Sequence, residues 1–587
     1  MQENNQSNSI KTSAGGCSAT QTVIIAPKIN TQGAQELDMK AAAAIYMTAS
    51  PMGLLRQPAM LSFLNTLNPA YKVLDRRALS GKLLDKTYDK IKTKIDIALQ
   101  HIQHLNIIID ESSNITTHTI MNISIHTQDR AYHYASESIG AQRRTAASIL
   151  SWLMVQIRAL TSNNLQRINS VTTDTCATMF ALGNLLKKEN NMEHVLFIPC
   201  DAHGLQLVVK DLLEHCPTLK ETHRKANVIA QAFRTSPLQY ARLREQQMLR
   251  YHQCFSLILA VITRWGTQYR LVHSLLRSKD ALRAYAYDLE RRPQDLRGNA
   301  LSFIKDTSFW GDLGLLNDVL EPIDNVLRQS ESDHAHLGTV IPRWISIESL
   351  LKQYTPQLPE LESFCNLHFY QRFTRQSLNL HWAAHFLMPT NAEETLTPKT
   401  QRRVFQFFQE MGKNSSASIM RAEFLSFRNK TSCFSANADC WEDVENPLLF
   451  WQIQATFAPV LGRIAVRLFG TPANSVPCER AFSAQNLIHT QKRNQLQPGV
   501  VNKLVFILIN QRHLDAIRNK EKSVFWQDND EELALENELA ADPGVVLDEL
   551  ADLNAPYSED TARSSFSLPS SLPLEREIFS DSELLLE

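Results

Sequence analysis

The chain has 587 residues, 43% of them apolar, so it is long enough for several domains with sizeable cores. Its apolar runs are far shorter than the roughly 18 residues that span a bilayer, and residues 1–38 lack a basic and apolar signal segment. We therefore expect a soluble, intracellular protein with no membrane partner.

The net charge of −1 conceals a division along the chain. Residues 527–587 hold 17 acidic and 2 basic side chains, while the remainder holds 58 Lys and Arg against 44 Asp and Glu. A basic body with an acidic tail is typical of a protein that binds a polyanion, although ordinary charge scatter with a solvated tail also fits.

Several chemistries are excluded by missing motifs. The nine cysteines are scattered and none is paired as C-x-x-C, which argues against a disulfide framework and a cysteine-pair zinc finger. Glycine-rich phosphate loops and the G-x-S-x-G motif are absent, so the chain is not expected to be an NTPase, a dinucleotide enzyme or a serine hydrolase. We expect no zinc finger and no small-molecule cofactor.

The first half of the chain changes its hydrophobic period twice. Residues 1–40 are polar and predict a disordered N-terminus, and residues 41–104 have the three- and four-residue spacing of a helical region. Residues 105–255 contain β-rich runs, first in meander and then alternating with helical patterns. This order predicts a mixed α+β fold with helices packed on a mixed sheet.

The second half is mostly helical in pattern. Residues 256–445 show helical spacing with polar breaks and predict an α-helical insertion domain. Residues 446–515 carry two amphipathic stripes and form the last ordered block. Residues 516–587 are the acidic tail, which we expect to be largely disordered.

Three acids stand at positions that suit metal binding. Asp110 and Asp174 each end a β-rich run, and Glu479 lies in the first turn of a predicted helix. Taken singly, Asp110 also fits a turn residue and Asp174 a helix N-cap. Neighbouring parallel strands lie about 5 Å apart, so two such strand ends can share a cation. Three carboxylates brought together would suit Mg²⁺ or Mn²⁺ in a two-metal site for phosphodiester chemistry.

Short motifs in the same order resemble those of hAT-superfamily transposases. The run S-V-P-C-E-R-A-F-S at residues 475–483 is similar to the core of the hAT C-terminal dimerisation region. Five further segments resemble family motifs: residues 109–114 and 173–177 (the two acid motifs), 200–207 (C-x-x-H), 263–267 (R-W) and 492–496 (K-R-x-x-L). The resemblance covers about residues 45–512.

The resemblance implies a fold, an activity and a set of roles. It implies an RNase H-like catalytic core interrupted by the α-helical insertion, and a DDE triad of Asp110, Asp174 and Glu479 that holds two Mg²⁺ or Mn²⁺ ions. It implies a nuclear enzyme that excises an element from double-stranded DNA by hydrolysis and transesterification at transposon ends, working as a homodimer or higher oligomer. Trp265 would stack on an extruded base, although alone it fits a core aromatic. The other expected DNA-binding residues are Arg264, His203, Arg480, Lys492 and Arg493.

Three departures from the family leave an alternative open. Many members begin with a BED zinc finger, whereas residues 1–40 contain Cys17 alone. Glu111 follows Asp110 where a small residue is common, and Cys478 precedes Glu479 where serine is frequent. The alternative is therefore a catalytically inactive, transposase-derived nuclear protein that binds DNA and dimerises.

Overall fold

In the computed structural model, the chain divides into two units, Met1–Ile91 and Lys92–Glu587. The structure describes residues 29–113, 119–128, 130–138, 145–261, 266–288, 296, 299–332, 335–412, 415–435, 441, 445–490, 493 and 495–519.

The described part of the first unit is helical. Its helices are α1 (Thr31–Met47), α2 (Pro58–Leu67), α3 (Arg76–Ser80) and the first half of α4 (Lys82–Gln100). The Tyr46 hydroxyl donates to the Leu79 carbonyl over 2.6 Å, which joins α1 to α3. The Arg56 guanidinium donates to the Val73 carbonyl over 3.0 Å and closes the connection between α2 and α3.

The second unit is built on a five-stranded mixed sheet in the order β3-β2-β1-β4-β5. The strands are β1 (Leu105–Ser113), β2 (Thr119–His126), β3 (Ala131–Ser138), β4 (Ile168–Thr173) and β5 (Leu196–Pro199). β1, β2 and β3 pair antiparallel, whereas β1 with β4 and β4 with β5 pair parallel. All residues of β4 are buried, as expected of a parallel strand covered on both faces.

Helices carry the rest of the second unit. The elements before the insertion are α5 (Ala146–Thr161), α6 (Ala177–Leu186), α7 (Asp201–His215), α8 (Pro217–Arg234) and α9 (Pro237–Tyr251). Those from 267 to 428 are α10 (Thr267–Arg277), α11 (Lys279–Tyr287), α12 (Ala300–Lys305), α13 (Thr307–Glu331), α14 (Val340–Tyr354), α15 (Glu360–Phe364), α16 (Tyr370–Gln376), α17 (Asn379–Phe386), α18 (Pro398–Met411) and α19 (Ser415–Arg428). The last four are α20 (Pro447–Gln454), α21 (Pro459–Phe469), α22 (Val476–Ile488) and α23 (Pro498–Asn519).

Local sequence explains how these elements begin and pack. α5 starts at a capping box in which the Thr145 hydroxyl accepts from the Ser148 amide and the Ser148 hydroxyl accepts from the Thr145 amide. α6 approaches the sheet closely because Gly183 has no side chain: a Cβ there would lie 2.6 Å from the Phe197 ring. The helices of the insertion bury a continuous apolar core that includes Phe309 and Trp344.

The edge strand β3 is covered by α23. The Asn510 side chain accepts from the His133 amide over 3.1 Å and donates to the His133 carbonyl over 2.8 Å. At His133, one amide side chain thus supplies both hydrogen bonds that a residue of a further strand would give.

The observed elements confirm a mixed α+β fold and correct the expected limits of order. The sequence predicts disorder for residues 1–40, which is wrong for residues 31–40 because α1 begins at Thr31. Asn30 caps that helix by accepting from the Gly33 amide over 2.7 Å, and alanines at 41–44 favour its propagation. At the other end, α23 continues to Asn519, past the expected boundary at residue 515. Among the described helices, none combines the length and the apolar character needed to cross a membrane.

Candidate functional site

Asp110 and Asp174 follow equivalent positions of two neighbouring parallel strands. Ile108 of β1 lies opposite Thr172 of β4, and each acid comes two residues later. Asp174 directly follows the end of β4, whereas the expectation that Asp110 ends its strand is wrong, because β1 continues to Ser113. Since parallel neighbours run about 5 Å apart, this register sets the two carboxyl groups side by side at the carboxyl end of the sheet. The structure therefore brings together the first two members of the predicted triad.

The negative charge of Asp174 raises the pKa of Asp110. The pKa of the Asp110 carboxyl is raised to about 8, chiefly by burial and next by the negative charge of Asp174. The amide of Glu111 donates to Asp110 Oδ1 over 2.8 Å and partly opposes that rise in pKa. Asp110 is thus a carboxyl group held beside a like charge, the arrangement that shifts pKa values at functional sites.

Local hydrogen bonds fix the second acid. Asp174 Oδ1 accepts from the Cys176 amide over 3.0 Å, and the Thr173 hydroxyl donates to the Asp174 carbonyl over 2.9 Å. This turn leads into α6, whose N-cap is Cys176, so the alternative expectation that Asp174 is a helix N-cap is wrong and Asp174 forms a turn just before the helix. The turn is compatible with metal binding because the turn bond engages Oδ1, one of the two carboxylate oxygens.

α22 carries Glu479 to the same part of the sheet. The neighbouring thiol of Cys478 is buried, donates to the Ile108 carbonyl of β1 over 3.3 Å and lies 3.5 Å from the Ser124 hydroxyl of β2. α22 also buries Ala481, while Ser483 on its other face is exposed. The residue before Glu479 is thereby fixed on β1, two residues from Asp110.

A second contact ties the start of α22 to the end of β5. The Ser475 amide and hydroxyl each lie 3.2 Å from the buried Cys200 sulphur, and the Cys200 amide donates to the Thr173 carbonyl over 2.8 Å. Burial raises the pKa of the Cys200 thiol to about 12, and the negative charge of Glu479 adds to that rise. Glu479 thus lies within electrostatic range of the residue that extends the sheet beside Asp174.

His203 stands in the first turn of α7, next to the same strand ends. Its amide donates to the Cys200 sulphur over 3.4 Å. Burial lowers the pKa of His203 below the ordinary range, while the negative charge of Asp174 opposes part of that decrease. The His203 imidazole is therefore close enough to Asp174 for the charge of that acid to act on its pKa.

The ligand atoms of the three acids do not form one compact group. Among the described residues, the group of His, Cys, Asp or Glu whose ligand atoms all lie within 4.8 Å of one another is Asp211, Glu214 and His215 on α7, and the predicted triad is not such a group. Asp211 is already engaged by Arg372, with N–O distances of 2.7 and 3.1 Å. A pair of ions about 3.5–4 Å apart tolerates more widely spaced carboxylates than one ion does.

The expected DNA contacts are only partly visible. Arg264, Trp265 and Lys492 lie outside the described residues. Arg480 follows Glu479 in the first turn of α22, and it is partly exposed. Arg493 is also partly exposed, and burial lowers the pKa of its guanidinium.

A buried acid that no sequence motif marks as functional, Asp201, joins the insertion to the site. Asp201, in the first turn of α7, accepts from Trp344 Nε1 and from the Ser330 hydroxyl, each over 2.8 Å. Arg343 Nε lies 3.1 Å from Asp201 Oδ2 as an ion pair, although it does not meet hydrogen-bond geometry. The sequence offers one signal that Asp201 belongs to the site, its position between Cys200 and His203. Its hydrogen-bond partners lie more than 100 residues away along the chain, so no local pattern reveals them.

The same acid reaches the segment that precedes α22. The Asp201 amide donates to the Ala473 carbonyl over 2.9 Å, and the Asn474 side chain donates to the Ser330 carbonyl over 2.7 Å. The start of α22 is therefore held between α7 and α13 from the insertion. We infer that the insertion helps to position Glu479.

Comparison with known proteins identifies the C-terminal region. Residues 432–509 match the family described as the hAT family C-terminal dimerisation region. The chain is similar to hAT-type transposases in this region. The resemblance drawn from the S-V-P-C-E-R-A-F-S run is thus confirmed, and the dimerisation region supports self-association. Residues 74–229 match a domain of unknown function, DUF659.

One similar solved structure has low sequence identity to this chain. The structure of the Drosophila P element transposase strand transfer complex is similar at 9% sequence identity with a TM-score of 0.31, covering 82% of this chain and 94% of that one. No curated protein matches the chain.

Proposed function

We propose that this chain is a DDE transposase of the hAT type, with an RNase H-like core, that catalyses metal-dependent cleavage and transfer of DNA strands. Its substrate in this proposal is double-stranded DNA at transposon ends, and it acts in the nucleus as a homodimer or higher oligomer. The observation that carries the proposal is the convergence of Asp110, Asp174 and the Glu479 helix on one end of the mixed sheet.

The donor set fits divalent metal ions. Asp110, Asp174 and Glu479 offer the hard oxygen ligands that Mg²⁺ and Mn²⁺ prefer. Burial and the negative charge of Asp174 raise the pKa of the Asp110 carboxyl, and a bound cation would supply a compensating positive charge. Divalent ions held there would stabilise the charge on the entering and leaving oxygens of a phosphodiester and help to form the nucleophile.

The other residues of the site bind and orient the DNA in this proposal. His203 lies within electrostatic range of Asp174, where its imidazole would lie near the scissile phosphate. Arg480 and Arg493 supply positive charge for phosphate oxygens, as Lys492 and Arg264 would. Trp265 would stack on an extruded base, an interaction worth about 1–3 kcal/mol.

The test is nicking of DNA that carries the terminal sequences flanking the gene. Purified wild-type protein should nick this DNA in Mg²⁺ or Mn²⁺ and remain inactive with EDTA. Asp174→Asn should abolish nicking while leaving DNA binding intact, because it removes a charged ligand and keeps the side-chain shape. Glu479→Gln should behave in the same way.

Asp306→Asn is the matched control. Asp306 caps α13 by accepting from the Ser308 amide, a role that asparagine can also fill, and it belongs to no part of the site. This variant should nick DNA like the wild type. A folded wild-type protein that binds its terminal DNA in both metals and never nicks it would refute the catalytic proposal.

One observation favours a second candidate function. Among the described residues, the oxygens of Asp110, Asp174 and Glu479 do not all lie within 4.8 Å of one another. A transposase-derived protein that keeps the fold and the dimerisation region but performs no chemistry would need no closer approach. DNA binding and dimerisation without nicking, unchanged by Asp174→Asn, would support this candidate.

A further inference from the structure

A buried amide lies directly across the sheet from the first acid of the proposed site. Asn122 of β2 pairs with Asp110 of β1 in the antiparallel register, and it is fully buried. The side chains of directly opposed residues leave a sheet on the same face, with Cβ atoms about 4.5–5.5 Å apart. Asp110 therefore has the acid Asp174 on the side of β4 and a neutral amide on the side of β2.

The amide group of Asn122 has one end that is hydrogen-bonded and one that is not. The Ser136 hydroxyl of β3 donates to Asn122 Oδ1 over 2.6 Å, and His133 Nε2 lies 2.9 Å from that hydroxyl. Since the hydroxyl gives its one hydrogen to Asn122, His133 Nε2 is the donor to Ser136. This chain of hydrogen bonds fixes the amide and leaves Nδ2, a buried atom for which the described residues provide no acceptor.

The position of Asn122 limits what its Nδ2 group can bind. The helix of Glu479 covers this face of the sheet, because Cys478 Sγ lies 3.5 Å from the hydroxyl of Ser124, two residues from Asn122 on the same face. A fully buried amide beneath a helix does not touch DNA, so it acts on a neighbouring group. Leaving a buried donor unpaired costs about 1–3 kcal/mol, and the carboxylate across the strand pair is an acceptor that would remove this cost.

We propose that Asn122 is a positioning residue for Asp110, and that its Nδ2 group donates to the Asp110 carboxylate when this carboxylate holds a divalent ion. A carboxylate has about four acceptor positions on its two oxygens, so it can bind an ion and accept hydrogen bonds as well. Asp110 Oδ1 already accepts from the Glu111 amide, and a second donor would fix the orientation of the group. The inference rests on the proposed function, since it assigns an ion to Asp110.

The test measures the dissociation constant of Mn²⁺ for the full chain by electron paramagnetic resonance, which detects free Mn²⁺ and requires no catalysis. Asn122→Ala should raise this constant by about 10-fold or more, because losing a group that orients a metal ligand typically costs about 10–100-fold in affinity. Ser136→Ala releases the amide from its fixed orientation and should raise the constant by a smaller factor. In the Asn122→Ala background, Ser136→Ala should add nothing, since Ser136 acts through Asn122.

Gln247→Ala is the matched control. Gln247 on α9 is also a fully buried amide, and its Nε2 donates to the Phe255 carbonyl and to the Ser278 hydroxyl, each over 2.9 Å. It belongs to no part of the proposed site, so its loss should lower stability and leave the affinity for Mn²⁺ unchanged. Circular dichroism at the assay temperature should show that each variant is folded.

The outcomes separate this assignment from the proposed catalysis. Equal Mn²⁺ affinities in the wild type and in Asn122→Ala would overturn the assignment, as would an equal loss of affinity in Gln247→Ala. If Asn122→Ala does not fold, Ser136→Ala decides, and an unchanged dissociation constant overturns the assignment. A protein whose Mn²⁺ affinity depends on Asn122 and that never nicks terminal DNA would count against catalysis alone, whereas a wild type that binds no Mn²⁺ would overturn both.

Discussion

Removing the carboxylate of Asp201 should strongly destabilise the fold. Asp201 is fully buried, and Asp201→Ala would leave the buried Arg343 guanidinium without its counter-charge. Trp344 Nε1 and the Ser330 hydroxyl would lose their acceptor as well. Breaking a buried ion pair from one side costs about 3–5 kcal/mol, and we expect a loss of that size in the free energy of unfolding.

Removing the other partner should cost less. In Arg343→Met the carboxylate of Asp201 keeps two hydrogen-bond donors and the favourable field at the start of α7, worth about 0.3–1 kcal/mol. The double variant should be more stable than the sum of the two single losses predicts, by about 0.5–3 kcal/mol, since neither charge is then left alone. Asp201→Ala should therefore cost more than Arg343→Met, because the hydrogen bonds of Asp201 are lost in the first variant only, whereas both variants lose the ion pair.

Urea denaturation followed by circular dichroism gives the four free energies of this cycle. Asp306→Ala serves as the control, because that carboxylate caps α13 in solvent and should cost much less. An Asp201→Ala loss below about 1 kcal/mol would refute the reasoning that burial sets the magnitude. Strictly additive losses in the double variant would show that Asp201 and Arg343 do not interact.

Two further predictions test packing and pH dependence. Gly462→Ala places a Cβ 2.6 Å from Ala455 Cα, so it should lower the free energy of unfolding, measured by urea denaturation, by about 1–3 kcal/mol. Gly311→Ala on α13 has open space around the new Cβ and should raise the free energy of unfolding by about 0.5–1 kcal/mol. Equal effects of the two variants would contradict this reasoning. Burial lowers the pKa of His133 to about 4, so the unfolded chain takes up its proton first, and stability present above about pH 6.5 falls toward pH 4. His133→Gln should reduce this acid sensitivity by about one proton, and an unchanged pH slope would contradict it.

The sequence predicted those parts of the site that depend on local pattern. The β-rich runs before Asp110 and Asp174 are strands, and they pair in parallel as neighbours, as a shared metal site requires. The helix that carries Glu479 buries Ala481 and exposes Ser483, in accord with its periodicity. Hydrophobic period is set by burial of one face, so it is legible without the rest of the fold.

Contacts between distant segments could not be predicted in the same way. The partners of Asp201 on α13 and α14 are 129 to 143 residues away, and no local pattern encodes their pairing. The composition of residues 31–40 does not reveal that they are helical, because a polar helix start has the same composition as a disordered segment. Here the Asn30 cap and the alanines at 41–44 favour a helix despite the polar composition.

The two departures from the family pattern at the acids have separate physical explanations. Cys478, in place of serine, is buried, and its thiol donates to the Ile108 carbonyl. The thiol is small and apolar enough to be buried and is still a weak hydrogen-bond donor, so it fixes α22 on the sheet. Glu111 neighbours Asp110 on β1, where successive side chains point to opposite faces. Its charge accordingly contributes least among the causes that raise the pKa of Asp110. Neither substitution alters the set of oxygen ligands that the strand ends and α22 present, so both are compatible with the proposed site.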